Sequence, residues 1–267
     1  MHISHSHQYL YLQRFAALAF VLLTVCGCAG SRAPDAIKDS RSQIGQAQRE
    51  SSLRLARAAR SAGDLASAIN LYRGVVALRP NDGAMLVELG DALTEAGSLD
   101  DAIGVYGRVS GSSSARLDAL LGLSGVYLRL NEPDKALSYV NQAKAIAPEN
   151  ARVLNRRGVA LDSLARHIEA QNCYRAVLVS APRSVTARNN LALSLALSGQ
   201  FDEAIAILTP MARSSDASPQ IRQNLAFVYG LRGDEEKAAA MSKLDLNRAN
   251  VQANLRFFDY ARNHRNQ

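Results

Sequence analysis

The sequence predicts an all-α protein, an α-solenoid of about six stacked helical hairpins followed by a C-terminal capping helix. Ala, Leu and Arg, all strong helix formers, dominate the 267 residues, and no stretch sustains the period-two alternation of a β-strand. A spacing of 34 residues recurs without insertions and is marked by one alanine column: Ala68, Ala102, Ala136, Ala170, Ala204 and Ala238. One hairpin cannot bury its apolar face alone, so such units must stack.

Each unit repeats the same columns around its alanine. Five residues earlier stands the residue that must end the first helix in a left-handed conformation: Gly63, Gly97, Asn131, Ala165, Gly199 and Gly233. A large residue followed by a small one, as in Leu191-Ala192, allows close packing of the first helix, and Tyr72 or Tyr174 on the second helix fills the gap to the next unit. The columns place six units at 49–82, 83–116, 117–150, 151–184, 185–218 and 219–252.

These columns resemble the tetratricopeptide repeat, whose signature runs from a large residue and Leu-Gly through Tyr, Ala and an aromatic to Pro. Pro80, Pro148 and Pro182 close three of the units. The resemblance implies a right-handed superhelix in which the first helix of each unit lines a concave surface. The last apolar segment, Val251 to Ala261, predicts a capping helix over 251–262 that overlaps the sixth repeat, with a tail at 263–267.

The first 27 residues predict export. Phe15 to Val25 is an apolar run too short to span a bilayer as a helix, but it suits the core of a signal peptide. Val25-Cys26-Gly27-Cys28 follows and resembles the cleavage box of bacterial lipoproteins, with Cys28 as the lipidated residue. Because Ala29 stands where Asp would signal retention, this resemblance implies sorting to the periplasmic side of the outer membrane. An ordinary secretory signal with two incidental cysteines is the alternative.

Residues 28–48 are rich in Ser, Arg, Gln, Asp and Ala and lack an apolar face, which predicts a tether between lipid and folded domain. A helix toward the end of this tether is an open alternative. The formal charge of +7 is spread as single arginines, and aromatic residues make up only 6% of the chain. Nucleic-acid binding would need a basic face interleaved with stacking aromatics, so no nucleic-acid partner is predicted.

The chain lacks the residue patterns of an active site, so we predict no enzyme, no cofactor, no metal and no small-molecule substrate. The clustered histidines lie in the segment that is removed: His2, His5 and His7. His167, predicted in a turn, and His264 are far apart in sequence. Acidic pairs such as Asp202-Glu203 start the second helix of their repeats, where negative charge is stabilising. Cys173 is interpreted as a packed thiol.

Polar residues recur on the first helices, on the side expected to be concave. Amides on adjacent helices can hydrogen-bond the backbone of an extended peptide, and Arg152 and Arg156 are placed to hold a carboxylate. The candidate partner-binding residues are Arg152, Asn155, Arg156, Asn189, Asn190, Gln223 and Asn224. A solvated inner face or ordinary bonding between helices is the alternative.

The last third of the chain also resembles the TadD family, tetratricopeptide lipoproteins of the Flp/Tad (tight adherence) pilus assembly system. The marks are Asn189-Asn190-Leu191-Ala192, Gln223-Asn224-Leu225-Ala226, and Asp245-Leu246 followed by Val251 to Tyr260. The resemblance implies a non-enzymatic scaffold at the outer membrane that binds the secretin or other pilus components. A pilotin-like lipoprotein of type IV pilus or type II secretion systems, or a general envelope-assembly adaptor, is the alternative.

Overall fold

A computed structural model describes the backbone of residues 33–110 and 114–264, and the side chains from residue 45 onward within those ranges. The chain divides into two compact units, residues 1–48 and 49–267. The predicted signal peptide and Cys28 lie outside the described residues. Among the described helices, none combines the length and the apolar character that crossing a membrane requires.

Every regular element in the described part of the chain is an α-helix. The helices are α1 (Ala33–Ser61), α2 (Leu65–Leu78), α3 (Gly83–Glu95), α4 (Leu99–Gly107), α5 (Ser114–Arg129), α6 (Pro133–Ile146), α7 (Ala151–Ser163), α8 (His167–Ser180), α9 (Val185–Leu197), α10 (Phe201–Ala212), α11 (Pro219–Arg232), α12 (Glu235–Ser242) and α13 (Arg248–His264). Consecutive pairs from α3 to α12 form five hairpins, and α13 packs on α11 and α12. The end of α1 shares a core cluster with α2, through Ala56 and Ala68, which makes the first hairpin the sixth of the stack. The predicted all-α solenoid is confirmed.

Two predicted segments differ in extent from the helices that contain them. Helix α1 begins at Ala33, so the segment predicted as a tether is helical from that residue on. Helix α13 contains the predicted capping helix and extends beyond it at both ends. His167, which the sequence placed in a turn, is the first residue of α8, because the turn closes one residue earlier, at Arg166.

The ends of the first helices follow the predicted column. The residues with a left-handed backbone are Gly63, Gly97, Asn131, Ala165, Gly199 and Gly233. In the fourth repeat the Ala165 N–H donates to the Asp162 carbonyl at 2.9 Å, and the Arg166 N–H donates to the Leu161 carbonyl at 2.9 Å. These two bonds satisfy carbonyls that the end of a helix leaves without partners. Register in the repeat, rather than glycine itself, therefore sets the conformation.

The six hairpins share one kind of core. All six alanines of the marker column are fully buried, which leaves room for two helices to cross closely. Tyr106 and Tyr174 are each 1% exposed and fill the space between repeats. A Cβ atom on Gly122 would lie 2.4 Å from Cζ of Tyr106, and a Cβ atom on Gly158 would lie 2.4 Å from Cε1 of Tyr174. Glycine is therefore required at both positions for the rings to fit.

Ala165 offers a direct test of the left-handed column. Its φ of 57° places a Cβ atom where only glycine is free of strain, so Ala165→Gly is expected to raise the free energy of unfolding by about 1 kcal/mol. The reverse change in the same column, Gly97→Ala, should lower the free energy of unfolding by about 1 kcal/mol, because an alanine is strained in the left-handed conformation. No steric clash adds to this loss, since a Cβ atom at Gly97 meets only open space. Urea unfolding measures both variants. A destabilised Ala165→Gly variant would contradict the strain argument.

Candidate partner-binding groove

The first helices of the first four repeats line a groove. Its larger cavity has a volume of about 540 Å³, and a second of about 220 Å³ shares Asp91, Gly122 and Arg156 with it. We call this surface the charged groove and define it by Arg60, Asp91, Thr94, Glu95, Tyr106, Asp118, Gly122, Gly125, Leu128, Arg129, Arg152, Arg156 and Val159. Helices α1, α3, α5 and α7 contribute all of these residues except Tyr106, which α4 contributes.

Ion pairs connect α1 to α3 and α5 to α7. Arg60 of α1 donates from Nε to Glu95 Oε2 of α3 at 2.9 Å, and Arg57, one turn earlier, donates from Nε to Glu88 Oε2 at 2.9 Å. The hydrogen bond from Arg60 holds the pKa of Glu95 below its usual range. Across α5 and α7, Arg152 Nη1 lies 2.6 Å from Asp118 Oδ1. These acidic side chains are therefore already paired within the protein.

Asp91 lies deeper in the charged groove. The Tyr106 hydroxyl donates to Asp91 Oδ1 at 2.6 Å, and Arg60 Nη2 lies 3.7 Å from Asp91 Oδ2. Burial raises the pKa of Asp91 above its usual value, although the Tyr106 hydrogen bond acts in the opposite direction. On the neighbouring helix, Arg129 donates from Nη1 to the Thr94 carbonyl. Asp91 and Arg129 thus both bond within the groove.

Arg156 differs from the other arginines of the charged groove. Among the described residues, no carboxylate lies within ion-pair distance of its guanidinium and no acceptor bonds to it, and Arg152 is close enough to repel it. Burial lowers the pKa of Arg156, and Arg152 lowers it further. A Cβ atom built on Gly125 would lie 3.3 Å from Nη1 of Arg156, so the guanidinium rests against the backbone of α5. Arg156 is a partly buried cation without a counter-ion.

The predicted amides lie farther along the stack, and three of them bond to neighbouring helices. Asn224 Nδ2 donates to Asn189 Oδ1 at 2.7 Å, which connects α11 to α9. Gln223 Nε2 donates to Asp245 Oδ2 at 3.1 Å, and its Oε1 accepts from Asn254 of α13 at 3.3 Å. Asn189 is only 8% exposed. These contacts are the interhelix bonding that the sequence left open as the alternative.

Of the remaining predicted residues, two arginines lie in the charged groove and two asparagines lie outside its defined residues. Arg152 and Arg156 lie in the charged groove, beside the acidic residues of α3 and α5. Asn190 is half-buried on α9, and Oδ1 of Asn155 is buried without a hydrogen-bond partner among the described residues. Sequence reasoning missed Asp91 and Asp118. Following the concave face by helical spacing of three and four residues from the predicted columns would have found both.

A second polar cluster joins the fourth and fifth repeats. Asp162 Oδ1 lies 2.8 Å from His167 Nδ1 and accepts from Ser194 Oγ at 2.6 Å, while its Oδ2 accepts from the Tyr174 hydroxyl at 2.9 Å. Ser194 donates to the carboxylate rather than to the histidine, so this is not the arrangement of a nucleophile and its base. Cys173 is buried, with Arg157 Nη1 at 3.1 Å from its sulfur. Within the described residues, no group of His, Cys, Asp and Glu could hold a metal ion.

Two family models of the tetratricopeptide repeat match the chain, one at residues 53–115 and 155–219 and the other at residues 94–155. Together they run from residue 53 to residue 219 without a gap. The chain belongs to the tetratricopeptide repeat family. Tetratricopeptide proteins mediate interactions between proteins and are typically scaffolds rather than enzymes.

Several known proteins are similar to parts of this tetratricopeptide chain in sequence or in structure. "Uncharacterized protein y4yS" of Sinorhizobium fredii is 33% identical over 87 residues, which are 33% of this chain and 48% of that protein. "Cellulose synthase 2 operon protein C" of Komagataeibacter xylinus is 31% identical over 151 residues, 55% of this chain and 11% of that protein. The chain thus spans at most about half the length of these relatives. A thermophilic tetratricopeptide protein of Thermus thermophilus shares the fold, with a TM-score of 0.59, 20% identity, and coverage of 67% of this chain and 98% of that one.

Proposed function

We propose that this tetratricopeptide protein is a scaffold of the bacterial envelope that binds an extended segment of a partner protein in the charged groove. The observation that carries the proposal is the groove itself, a cavity of about 540 Å³ lined by four successive first helices. An extended peptide satisfies its backbone groups and places alternate side chains when it lies along such a concave surface. The family's general role in protein–protein interaction supports this use of the groove.

We further propose that the scaffold is anchored in the outer membrane through lipidated Cys28 and faces the periplasm. The apolar run at 15–25 and the box that ends at Cys28 support this location. Several acyl chains on one cysteine would anchor the chain stably, because a single chain binds a membrane only marginally.

The proposed partner is a component of a Flp/Tad-type pilus, either its secretin or another assembly protein. The resemblance of the last third of the chain to the TadD family supports this partner. A second candidate is an adaptor for another envelope assembly, and the similarity to a protein named for a cellulose synthase operon favours it. Both candidates use the same groove, so the identity of the bound partner separates them.

Photo-crosslinking in the native membrane tests the proposal. A photoreactive amino acid at Arg129, an exposed residue of the charged groove, is expected to crosslink a pilus or secretin component. The same amino acid at Val179, which is 85% exposed and outside the groove, is the matched control and should not. Cys28→Ser is expected to remove the protein from the outer-membrane fraction.

Three outcomes of this experiment have different meanings. Crosslinks from position 179 only would contradict the groove as the binding surface. Recovery of a cellulose-synthesis or other envelope component from position 129 would select the second candidate. A Cys28→Ser variant that stays in the outer-membrane fraction would contradict the lipid anchor.

A further inference from the structure

We propose that Arg156 is the recognition site for a carboxylate of the partner segment that the charged groove binds. This inference rests on the proposed use of the groove and adds the chemical class of the group that is read there. The carboxylate belongs either to an Asp or Glu side chain or to the C-terminus of the partner.

Every charged side chain of the charged groove except Arg156 has an ion-pair or hydrogen-bond partner within the protein. Glu95 and Asp118 bind arginines of the preceding or following repeat, and Asp91 accepts the hydroxyl of Tyr106. Arg129 donates to a backbone carbonyl. Arg156 is left as the guanidinium of this groove that has no acceptor among the described side chains. A neutral segment would leave it unchanged, whereas an acidic one would supply the missing counter-ion.

A partly buried cation without a counter-ion is costly, because burial removes part of its hydration and no carboxylate replaces it. The neighbouring Arg152 adds repulsion, although Asp118 compensates part of its charge. Such a residue does not help the solenoid fold. A function in which a ligand completes the pair explains why an arginine stands at this position.

The surroundings of Arg156 suit a peptide carboxylate. Gly125 contributes no side chain to the wall of α5, so the Arg156 guanidinium lies directly over this glycine, while the Tyr106 ring covers Gly122. Leu128 and Val159 add apolar surface to the same cavity. A guanidinium offers two parallel N–H donors that match the two oxygens of a carboxylate, which gives direction as well as charge. Arg152 is paired with Asp118, and breaking that pair would cost free energy. Arg152 therefore attracts the partner carboxylate through its charge and does not form a second hydrogen bond with it.

An array of short peptides made in matched pairs tests this site. Each pair carries Glu or Gln at one central position with an amidated C-terminus, and a third member carries Gln with a free C-terminal carboxylate. The probe protein is the full-length chain in detergent. Peptides that bind the wild type are expected to prefer a carboxylate by about tenfold or more, consistent with a charge-assisted bidentate pair.

Variants assign this preference to one side chain. Arg156→Gln should abolish it, Arg156→Lys should retain part of it, and Arg183→Gln, which removes the same charge from an exposed residue outside the groove, should leave it intact. Thermal melting separates recognition from folding. Because Arg156 has no partner to lose, Arg156→Gln should melt at an unchanged temperature or a few degrees higher.

The outcomes distinguish failure of this site from failure of the groove. If both members of every bound pair bind equally, or if the preference survives in Arg156→Gln, the carboxylate site is overturned while the groove function stands. If no peptide binds and position 129 gives no crosslink, the groove function is overturned and the site with it. If the peptides with a central Glu bind more tightly than those with a free C-terminus, Arg156 recognises a side-chain carboxylate. If the peptides with a free C-terminus bind more tightly, Arg156 recognises a terminal carboxylate.

Discussion

Tyr174→Ala is expected to lower the free energy of unfolding by about 3–5 kcal/mol, the loss typical of a large buried ring. The Tyr174 side chain is 1% exposed and packs against the backbone of Gly158, where even one Cβ atom would clash with it. Removing the ring leaves a cavity between α7 and α8 that the glycine cannot fill. The carboxylate of Asp162 also loses the hydroxyl that donates to it.

Tyr174→Phe separates these two contributions. It keeps the ring and removes only the hydrogen bond to Asp162, so a loss of about 1–2 kcal/mol is expected. Urea unfolding followed by circular dichroism gives the free energies. Amide hydrogen exchange shows whether the loss of protection is largest in α7 and α8, since repeats unfold partly independently. Equal losses in the two variants would contradict the packing argument.

Asp162→Ala is expected to lower the free energy of unfolding by about 3 kcal/mol, because its carboxylate accepts hydrogen bonds from several groups that would all lose their acceptor. Asp162 is only 15% exposed and contacts His167, Ser194 and Tyr174. Ser194 lies on α9, so the carboxylate connects the fourth repeat to the fifth. The substitution therefore weakens the interface between two repeats as well as one hairpin.

Asp202→Ala provides the matched control for this substitution. Asp202, like Asp162, has a partner in the next hairpin, but its side chain is 91% exposed and its ion pair with Arg232 is open to water. Such pairs contribute little, so the expected loss is under about 1 kcal/mol. Urea unfolding of both variants measures the difference. A loss for Asp162→Ala no larger than that for Asp202→Ala would contradict the assigned role of the cluster.

The two polar systems of the solenoid serve different purposes. The Asp162 cluster joins repeats, and its donors and acceptors are bonded within the protein. The charged groove contains ion pairs between α1 and α3 and between α5 and α7, yet it retains Arg156 without a counter-ion. A scaffold needs both kinds of surface, because rigid repeats hold a groove in shape while an uncompensated charge discriminates between partners.

Much of the fold follows from the period of 34 residues alone. It predicted the six hairpins, and it predicted a left-handed residue at Ala165, where local preference opposes that conformation. Because the repeats stack, each adopts the backbone geometry of its neighbour. The position of a residue in the repeat therefore determines its conformation more strongly than its intrinsic preference does. The glycines that Tyr106 and Tyr174 require in their own hairpins, Gly90 and Gly158, have the same origin, because the two glycines stand in one column of the repeat.

The candidate site could be predicted only in part. The concave columns correctly brought Arg152 and Arg156 to one groove, but they could not show that Asp118 already pairs with Arg152 and that nothing described pairs with Arg156. They equally could not show that Asn189 and Asn224 bond to each other. A column of the repeat predicts which residues lie on the same face of the solenoid. Whether two side chains on neighbouring helices meet depends on separations of a few Å across the helix interface, and only the tertiary structure contains those distances.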